Sequence, residues 1–373
     1  MRGLDWRRSL RVGVAAAAAV VGAVGFAAPA VAGGDGHDGG KRDVTVMTQN
    51  LYLGSSLDAA LVPGLSQEQF VAAVAKIYGT AVTTNFPLRA QTIADEIKAD
   101  RPDLIGLQEV TNWVAVPTHA GPTPMSFDFL EILLDALKSR GLNYEAEVTA
   151  QHVSIGPVPL VAPQFRCQVT ATDCAVTFQD RDVILRNLDT EGLDVTAKNS
   201  GNFPTQATVT VLGRPLSFER GWAYLDGTFN GSKFRFVTTH LEVDKPYVPF
   251  GQVQEQQARE LVAGPLKTLR PVILVGDLNS PADGRTTNSY FTILKALFVD
   301  AWWTNLGRDP GFSCCQDELL NNTTSKLFER IDYVLVRLAL PTSAHRDLGE
   351  IPGSPLPHWA SDHAGLVATV HLF

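Results

Sequence analysis

Short apolar runs recur along the chain, and most of them are rich in β-branched residues. They have the length of buried strands, and they lie at residues 44–47, 104–107, 183–185, 207–212, 234–238, 272–275, 333–336 and 366–370. Segments with apolar side chains at helical spacing lie between several of them, at residues 66–78, 88–99, 127–139 and 252–269. The chain is therefore predicted to mix α and β structure. Residues 205–212 and 221–236 look like consecutive antiparallel strands, and Asn230-Gly231 is typical of a hairpin turn.

The N-terminal region has a different pattern. A basic start that includes Arg7-Arg8 precedes an almost uncharged run of Ala and Val, which ends in Ala30-Val31-Ala32. This predicts a signal peptide over residues 1–32 and a secreted protein, with a membrane anchor as the alternative. The arginine pair leaves twin-arginine export open beside the general route. Residues 33–42 are Gly-rich and charged, which predicts a flexible linker, and residues 43–373 are predicted to form one catalytic domain.

Charge and cysteine content narrow the class of protein. The formal net charge is −8, and removal of residues 1–32, with their four arginines and one aspartate, makes it more negative. An acidic chain has no broad attraction for nucleic acid, which argues against a non-specific DNA-binding module but leaves a nuclease open. Four cysteines in a secreted chain can form disulfides. Cys167 and Cys174 make a plausible local pair, whereas Cys314 and Cys315 can pair together or elsewhere.

Polar residues of the types that serve in catalysis and ligand binding cluster at the ends of the predicted strands. One such residue is usually a cap or a turn former, but six strand ends with a carboxylate, amide or imidazole predict one shared site. The residues are Asn50, Glu109, His240, Asp277 with Asn279, Asp332, and Asp362 with His363.

Taken in order, the segments around these residues resemble the endonuclease/exonuclease/phosphatase superfamily. Its members include DNase I-like nucleases, abasic-site endonucleases, neutral sphingomyelinases and inositol phosphatases. The resemblance covers residues 43–373, and it implies an α+β fold: a four-layer α/β/β/α sandwich of two mainly antiparallel sheets packed face to face, with helices outside. The matching motifs are Thr48-Gln49-Asn50, Leu107-Gln108-Glu109, Thr239-His240-Leu241, Gly276-Asp277-Leu278-Asn279, Arg330-Ile331-Asp332 and Ser361-Asp362-His363.

The resemblance also implies a metal site. Glu109 would be the principal ligand of Mg²⁺, and Asn50 and Asp362 would complete the site. Oxygen ligands suit Mg²⁺, which keeps several waters; Mn²⁺ and Ca²⁺ are the alternatives.

The catalytic roles that the resemblance implies centre on two histidines. His240 and His363 would flank the scissile phosphate as acid–base groups, with Asp332 orienting His363 and Asp182 supporting His240. Asp277 would orient or deprotonate the attacking water.

Two further residues would bind substrate. Asn279 would donate to a phosphoryl oxygen, and the guanidinium of Arg220 would contact the phosphate. Asp180 is a departure, because DNase I-like relatives often carry a tyrosine at this position. That departure puts a DNase I-like assignment in doubt.

The expected function is hydrolysis of a phosphodiester, either in nucleic acid or in a phospholipid head group, by a monomer with no dedicated protein partner. A sphingomyelinase-like phospholipase C would need an exposed apolar hairpin or loop, for which residues 153–165 and 247–250 are candidates, with buried loops as the alternative. A phosphomonoesterase is the second enzymatic possibility. A catalytically dead binding scaffold is the third, although Glu109, His240 and His363 are all present.

Overall fold

The structure is a computed structural model that describes residues 42–117, 125–160, 174–244, 250–307, 309–354 and 356–373. The predicted signal peptide, almost all of the predicted linker and Cys167 lie outside these ranges. Within the described residues, no helix combines the length and the apolar character needed to cross a bilayer.

The helices of the described residues are α1 Gln67–Thr83, α2 Phe86–Asp100, α3 Phe129–Ser139, α4 Gly251–Ala263 and α5 Ser289–Lys295, with short 3₁₀ turns at Asp58–Ala60 and Ala301–Thr304. Ser66 begins α1 with a capping box, because its hydroxyl accepts from the amide of Gln69 while the Gln69 side chain accepts from the amide of Ser66. The predicted helix over residues 252–269 ends earlier than expected, since Gly264-Pro265 cannot continue it. The short helix α5 was not predicted.

The strands of the described residues are β1 Asp43–Asn50, β2 Leu104–Gln108, β3 Asn112–Pro117, β4 Met125–Asp128, β5 Tyr144–Leu160, β6 Cys174–Asn187, β7 Leu193–Asn202, β8 Ala207–Val211, β9 Arg214–Phe218, β10 Gly221–Phe229, β11 Ser232–His240, β12 Val272–Asp277, β13 Val299–Asp300, β14 Asp332–Arg337, β15 Leu340–Asp347 and β16 Gly365–His371. One sheet has the order β15-β16-β1-β2-β6-β3-β4, with β5 also paired to β6. The other has the order β13-β14-β12-β11-β10-β7.

Each large sheet contains one parallel pair, β1 with β2 and β11 with β12, among antiparallel neighbours. In a parallel pair the carboxyl ends of both strands meet at the same edge of the sheet. Asn50 therefore lies opposite Gln108, which precedes Glu109, and His240 lies opposite Asp277. Because β14 runs antiparallel to β12, its first residue, Asp332, also lies opposite Asp277. The topology thus collects strand ends that are far apart in sequence.

Three apolar layers hold the fold together. The layer between the sheets includes Val46, Leu104, Phe236, Ile273 and Val334. Helices α1, α2 and α3 pack on the outer face of the first sheet, and α4 and α5 pack on the outer face of the second. This is the four-layer α/β/β/α sandwich, so the predicted fold class is confirmed.

The sheets approach each other closely near the end that carries the polar residues. A Cβ atom at Gly106 would lie 2.7 Å from the hydroxyl of Thr238 on the opposite sheet. The Gln108 side chain spans the same gap and donates to that hydroxyl at 2.9 Å. Gly106 is therefore required by close packing between the sheets.

One prediction about the strands is confirmed and one needs correction. The Asn230-Gly231 hairpin is confirmed between β10 and β11, but β8 does not pair with β10. It pairs with β9 in a separate ribbon. Residues 153–160 of the candidate docking segment form the end of β5 and pair with β6, while residues 161–165 lie outside the described ranges. The docking role of this segment stays a prediction.

Candidate active site

A cavity of about 470 Å³ lies among the polar strand ends. Most of the residues predicted from the sequence share its wall, although the motifs that contain them are far apart in the chain. The predicted residues that line it are Glu109, Arg220, His240, Asp277, Asn279, Asp362 and His363. Asn50, Asp182 and Asp332 are not among the residues that line it.

His363 is oriented by Asp332, as predicted. Its Nδ1 lies 2.8 Å from a carboxylate oxygen of Asp332, and its Nε2 lies 3.9 Å from Asp277. Burial would lower the pKa of His363, but the carboxylates of Asp332 and Asp362 outweigh it and hold this pKa well above its usual range. These carboxylates therefore favour the charged form of the ring.

The serine of the Ser-Asp-His motif connects this loop to the end of β1. The Ser361 hydroxyl donates to the Asn50 carbonyl at 2.7 Å and accepts from the His363 amide at 3.1 Å. Asp362 and His363 are thereby held beside the end of β1.

Asp277 is almost fully buried and has two hydrogen-bond donors. The Asn50 side chain donates to one oxygen at 3.2 Å, and the Asn279 amide donates to the other at 2.8 Å. Burial, together with the nearby carboxylate of Asp332, raises the pKa of Asp277 well above its usual range. A raised pKa makes the ionised carboxylate a stronger proton acceptor.

His240 has the opposite environment to His363. Its Nδ1 lies 3.0 Å from Nη1 of Arg220, and its Nε2 lies 3.1 Å from Nδ2 of Asn279. Burial and the charge of Arg220 lower the pKa of His240 well below its usual range. The site therefore combines a neutral imidazole with a charged one, a separation that is typical of groups with different chemical tasks.

Arg220 is anchored by two carboxylates, Asp180 and Glu242, each 3.6 Å from a guanidinium nitrogen. Asp180, which stands where relatives often have a tyrosine, is thus an ion partner of Arg220. Burial raises the pKa of Asp180 to about 7, although the charge of Arg220 opposes this shift. The sequence analysis did not identify Glu242 as a site residue. Its position two residues after His240 is the one feature of the sequence that could have indicated it.

The prediction that Asp182 supports His240 is wrong, because Asp182 pairs with a different histidine. Asp182 is fully buried on β6, and its carboxylate lies 3.0 Å from Nε2 of His152 on the adjacent strand β5. Arg220 occupies the position at His240 that Asp182 was expected to fill. His152 also contacts the side-chain oxygen of Asn202 through Nδ1 at 3.1 Å, so Asp182 belongs to a polar cluster behind the cavity.

The cavity contains groups that are able to hold a divalent cation. Glu109 adopts φ +55° and accepts from the Leu53 amide at 2.6 Å. Burial raises the pKa of Asp362 to about 6; the charge of His363 opposes this shift, and the nearby carboxylate of Glu109 adds to it. Two carboxylates that face one cavity and repel each other fit a cation bound between them.

Asn50 does not line the cavity, and its predicted role as a metal ligand stays a prediction. It is fully buried, its side-chain oxygen accepts from the Tyr52 amide at 2.9 Å, and its amino group donates to Asp277. Asp277, Asp332 and His363 form a second group whose ligand atoms lie within 4.8 Å of one another. One oxygen of Asp332 in this group is buried without a hydrogen-bond partner. However, a charged His363 ring has no free lone pair with which to bind a cation, so this group is a weaker candidate than Glu109 with Asp362.

Arg89 joins the loops that carry the site, and nothing in the sequence pattern marked it. It is fully buried on α2, and its guanidinium donates to backbone carbonyls only. Two of these carbonyls belong to Leu51, which follows Asn50, and Ala360, which precedes Ser361; the others belong to Tyr52 and Thr84.

The adjacent residues Cys314 and Cys315 also line the cavity, and their pairing with each other stays a prediction. The predicted pairing of Cys167 with Cys174 involves a residue outside the described ranges and stays a prediction.

Comparison with known proteins agrees with this geometry. Residues 47–363 match the model of the endonuclease/exonuclease/phosphatase family, and the chain belongs to this family. The match contains the whole cavity wall and supports a hydrolase. No curated protein matches the chain.

Solved structures of family members share the fold. An endonuclease/exonuclease/phosphatase from Bacteroides vulgatus is 18% identical over 89% of this chain and 100% of its own, with a TM-score of 0.51. Another, from Beutenbergia cavernae, is 19% identical over 89% of this chain and 72% of its own, with a TM-score of 0.54. The catalytic domain of human nocturnin is 16% identical over 89% and 96%, with a TM-score of 0.50. At these identities the likeness shows the fold alone.

Proposed function

We propose that the protein is a secreted, Mg²⁺-dependent hydrolase that cleaves phosphodiester bonds by in-line attack of water. The proposal rests on one observation: Asp277 lies between a charged His363 and a neutral His240, in a cavity that also contains Glu109 and Asp362. The proton acceptor, the cation ligands and the groups that would contact the phosphate therefore line the same cavity.

Glu109 and Asp362 would hold the cation, with water completing its coordination. A bound divalent cation polarises the phosphoryl oxygen and offsets the charge that develops in the transition state. The Leu53 amide holds Glu109 in place.

The protein groups divide the remaining tasks. Asp277, held by Asn50 and the amide of Asn279, orients the attacking water and accepts its proton as the new P–O bond forms. His363, charged because of Asp332 and Asp362, stabilises the phosphorane-like charge and gives a proton to the leaving oxygen. The side-chain amide of Asn279 faces the same space and donates to a phosphoryl oxygen.

The charge of the wall favours a substrate with a single phosphate. Among the described residues, Arg220 is the only lysine or arginine that lines the cavity, whereas Asp58, Asp244 and Glu329 line it in addition to the groups already named. The flanking phosphates of a nucleic acid would meet these carboxylates and gain little from counterion release. Phosphodiesters of the phospholipid head-group class are therefore favoured over polynucleotides.

Apolar side chains in the same wall agree with this preference. Phe218, Phe250 and Phe328 line the cavity with Leu57 and Val243, and they would contact an uncharged ester group. Phe250 belongs to the predicted docking segment 247–250, whose other residues lie outside the described ranges. A phosphomonoester, with its additional charge, would find only Arg220 as a lysine or arginine partner in the described wall.

Parallel assays with bis-p-nitrophenyl phosphate, p-nitrophenyl phosphate, sphingomyelin vesicles and plasmid DNA test the proposal. The purified protein should hydrolyse the diesters with Mg²⁺, lose this activity in EDTA, and prefer vesicles to DNA. Glu109→Ala should abolish the activity, and Glu131→Ala, which removes an exposed carboxylate on α3, should retain it. Hydrolysis of the monoester alone, or activity that EDTA leaves intact, would contradict the proposal.

A further inference from the structure

Arg220 contacts His240 directly, and this contact has a chemical consequence of its own. Nη1 of Arg220 lies 3.0 Å from Nδ1 of His240. A guanidinium nitrogen can only donate a hydrogen bond, since it carries no acceptor lone pair. Nδ1 of His240 must therefore accept, and in a neutral ring the hydrogen then belongs to Nε2.

We propose that Arg220 is a positioning residue that holds His240 as the neutral tautomer with its hydrogen on Nε2. In this form the ring donates a hydrogen bond to a phosphoryl oxygen of the substrate and does not shuttle protons. This refines the predicted acid–base role of His240. It rests on the proposed function only for the identity of the acceptor; the tautomer itself does not depend on it.

One group near Nε2 competes with this assignment. Nδ2 of Asn279 lies 3.1 Å from Nε2, and it also donates to the Leu241 carbonyl at 3.0 Å. If Nε2 accepted from Asn279, the hydrogen of the neutral ring would lie on Nδ1 and face the guanidinium of Arg220, which has no acceptor. Because Arg220 can only donate, its contact decides the tautomer. A carboxylate oxygen of Asp277 lies 3.5 Å from Nε2, which is too long for a strong hydrogen bond.

The position of Arg220 is well determined. The carboxylates of Asp180 and Glu242 flank its guanidinium, and its side chain is only 15% exposed. Asp182 would have favoured a hydrogen on Nδ1 of His240, but it lies next to His152. A carboxylate at Nδ1 accepts a hydrogen and favours the charged ring, as Asp332 does at His363. An arginine at Nδ1 has the reverse effect.

Long-range ¹H–¹⁵N correlation of the histidine rings in the free, metal-free protein tests the proposal, because it reports which ring nitrogen is protonated. Loss of signals in His240→Gln assigns the ring. In the wild type, Nε2 should be protonated and Nδ1 should not, throughout pH 6–8. In Arg220→Met, Nδ1 should lose its donor and the ring should become a mixture of tautomers. Arg140→Met removes the arginine that pairs with Asp95 of α2 and should leave the His240 signals unchanged.

A hydrogen on Nδ1 in the wild type, a doubly protonated ring at pH 7, or an unchanged tautomer in folded Arg220→Met would each overturn the proposal. If Arg220→Met does not fold, the wild-type spectrum still decides. Since the spectrum needs neither substrate nor metal, this result is independent of whether the protein hydrolyses phosphodiesters.

Discussion

Replacement of Arg89 by methionine tests whether the buried arginine assembles the active-site loops. Methionine keeps the unbranched stem but removes every donor. Four backbone carbonyls, of Leu51, Tyr52, Thr84 and Ala360, would lose a charged hydrogen bond in a fully buried place. Burial already lowers the pKa of Arg89 to about 10, which leaves it charged at pH 7.

The expected cost follows from these contacts. A buried polar group that loses its partner costs about 1–3 kcal/mol, while the penalty for burying the charge disappears, so four losses do not simply add. Removal of one partner from a buried charged network typically costs about 3–5 kcal/mol. We expect the free energy of unfolding to fall by about this amount, a large part of the roughly 5–15 kcal/mol that is typical of a folded domain.

Urea unfolding followed by tryptophan fluorescence measures this change, and kcat at low temperature measures the effect on the site. Because Leu51 and Ala360 adjoin Asn50 and Ser361, kcat of the folded variant should fall as well. Arg259→Met, at an exposed position on α4 where the guanidinium bonds the side chain of Gln256, should lose less than about 1 kcal/mol. A loss this small in Arg89→Met would refute the role assigned to Arg89.

Three other changes have defined outcomes. Burial raises the pKa of Glu96 from 4.5 to about 8, and the carboxylate of Asp347 adds to the shift. Protonation of Glu96 therefore stabilises the fold; this contribution is complete below pH 4.5 and is lost as the pH rises through 8. Between pH 5 and pH 8.5, the free energy of unfolding measured in urea should fall by about 1–3 kcal/mol less for Glu96→Gln than for the wild type, and equal losses would exclude the effect. Gly106→Ala should lower the free energy of unfolding by about 1–3 kcal/mol through overpacking between the sheets, measured by thermal denaturation, and an unchanged midpoint would contradict the close packing. Asp332→Asn should lower kcat about 10²-fold or more by discharging the partner of His363, and wild-type kcat in steady-state assays would exclude that role.

The location of the site was predictable because it depends on strand ends. A buried strand has to stop at a turn, and polar residues such as His240 and Asp277 directly after apolar runs mark that edge in the sequence. Pairing of β11 with β12 in parallel then makes the two residues neighbours. The same logic applies to Asn50 beside Gln108, so the order of the motifs was enough to predict both the fold and most of the cavity wall.

Contacts behind the wall were not predictable in this way. Arg89 lies on an amphipathic helix, and its carbonyl partners come from segments that only the folded chain brings together. Whether Asp182 contacts His152 or His240 depends on how β5 and β6 pack, and the hydrophobic pattern does not encode this packing. Glu242 follows a predicted site residue closely, but its role depends on where Arg220 lies.

The central claim is that Glu109 forms part of a cation site that drives phosphodiester hydrolysis. The most direct measurement is the rate of bis-p-nitrophenyl phosphate hydrolysis against Mg²⁺ concentration, for the wild type and for Glu109→Gln, which keeps the size of the side chain. The wild-type rate should rise from zero and saturate, and the variant should need far more Mg²⁺ or show no rate at all. The same saturation curve for both proteins, or hydrolysis without any divalent cation, would contradict the account.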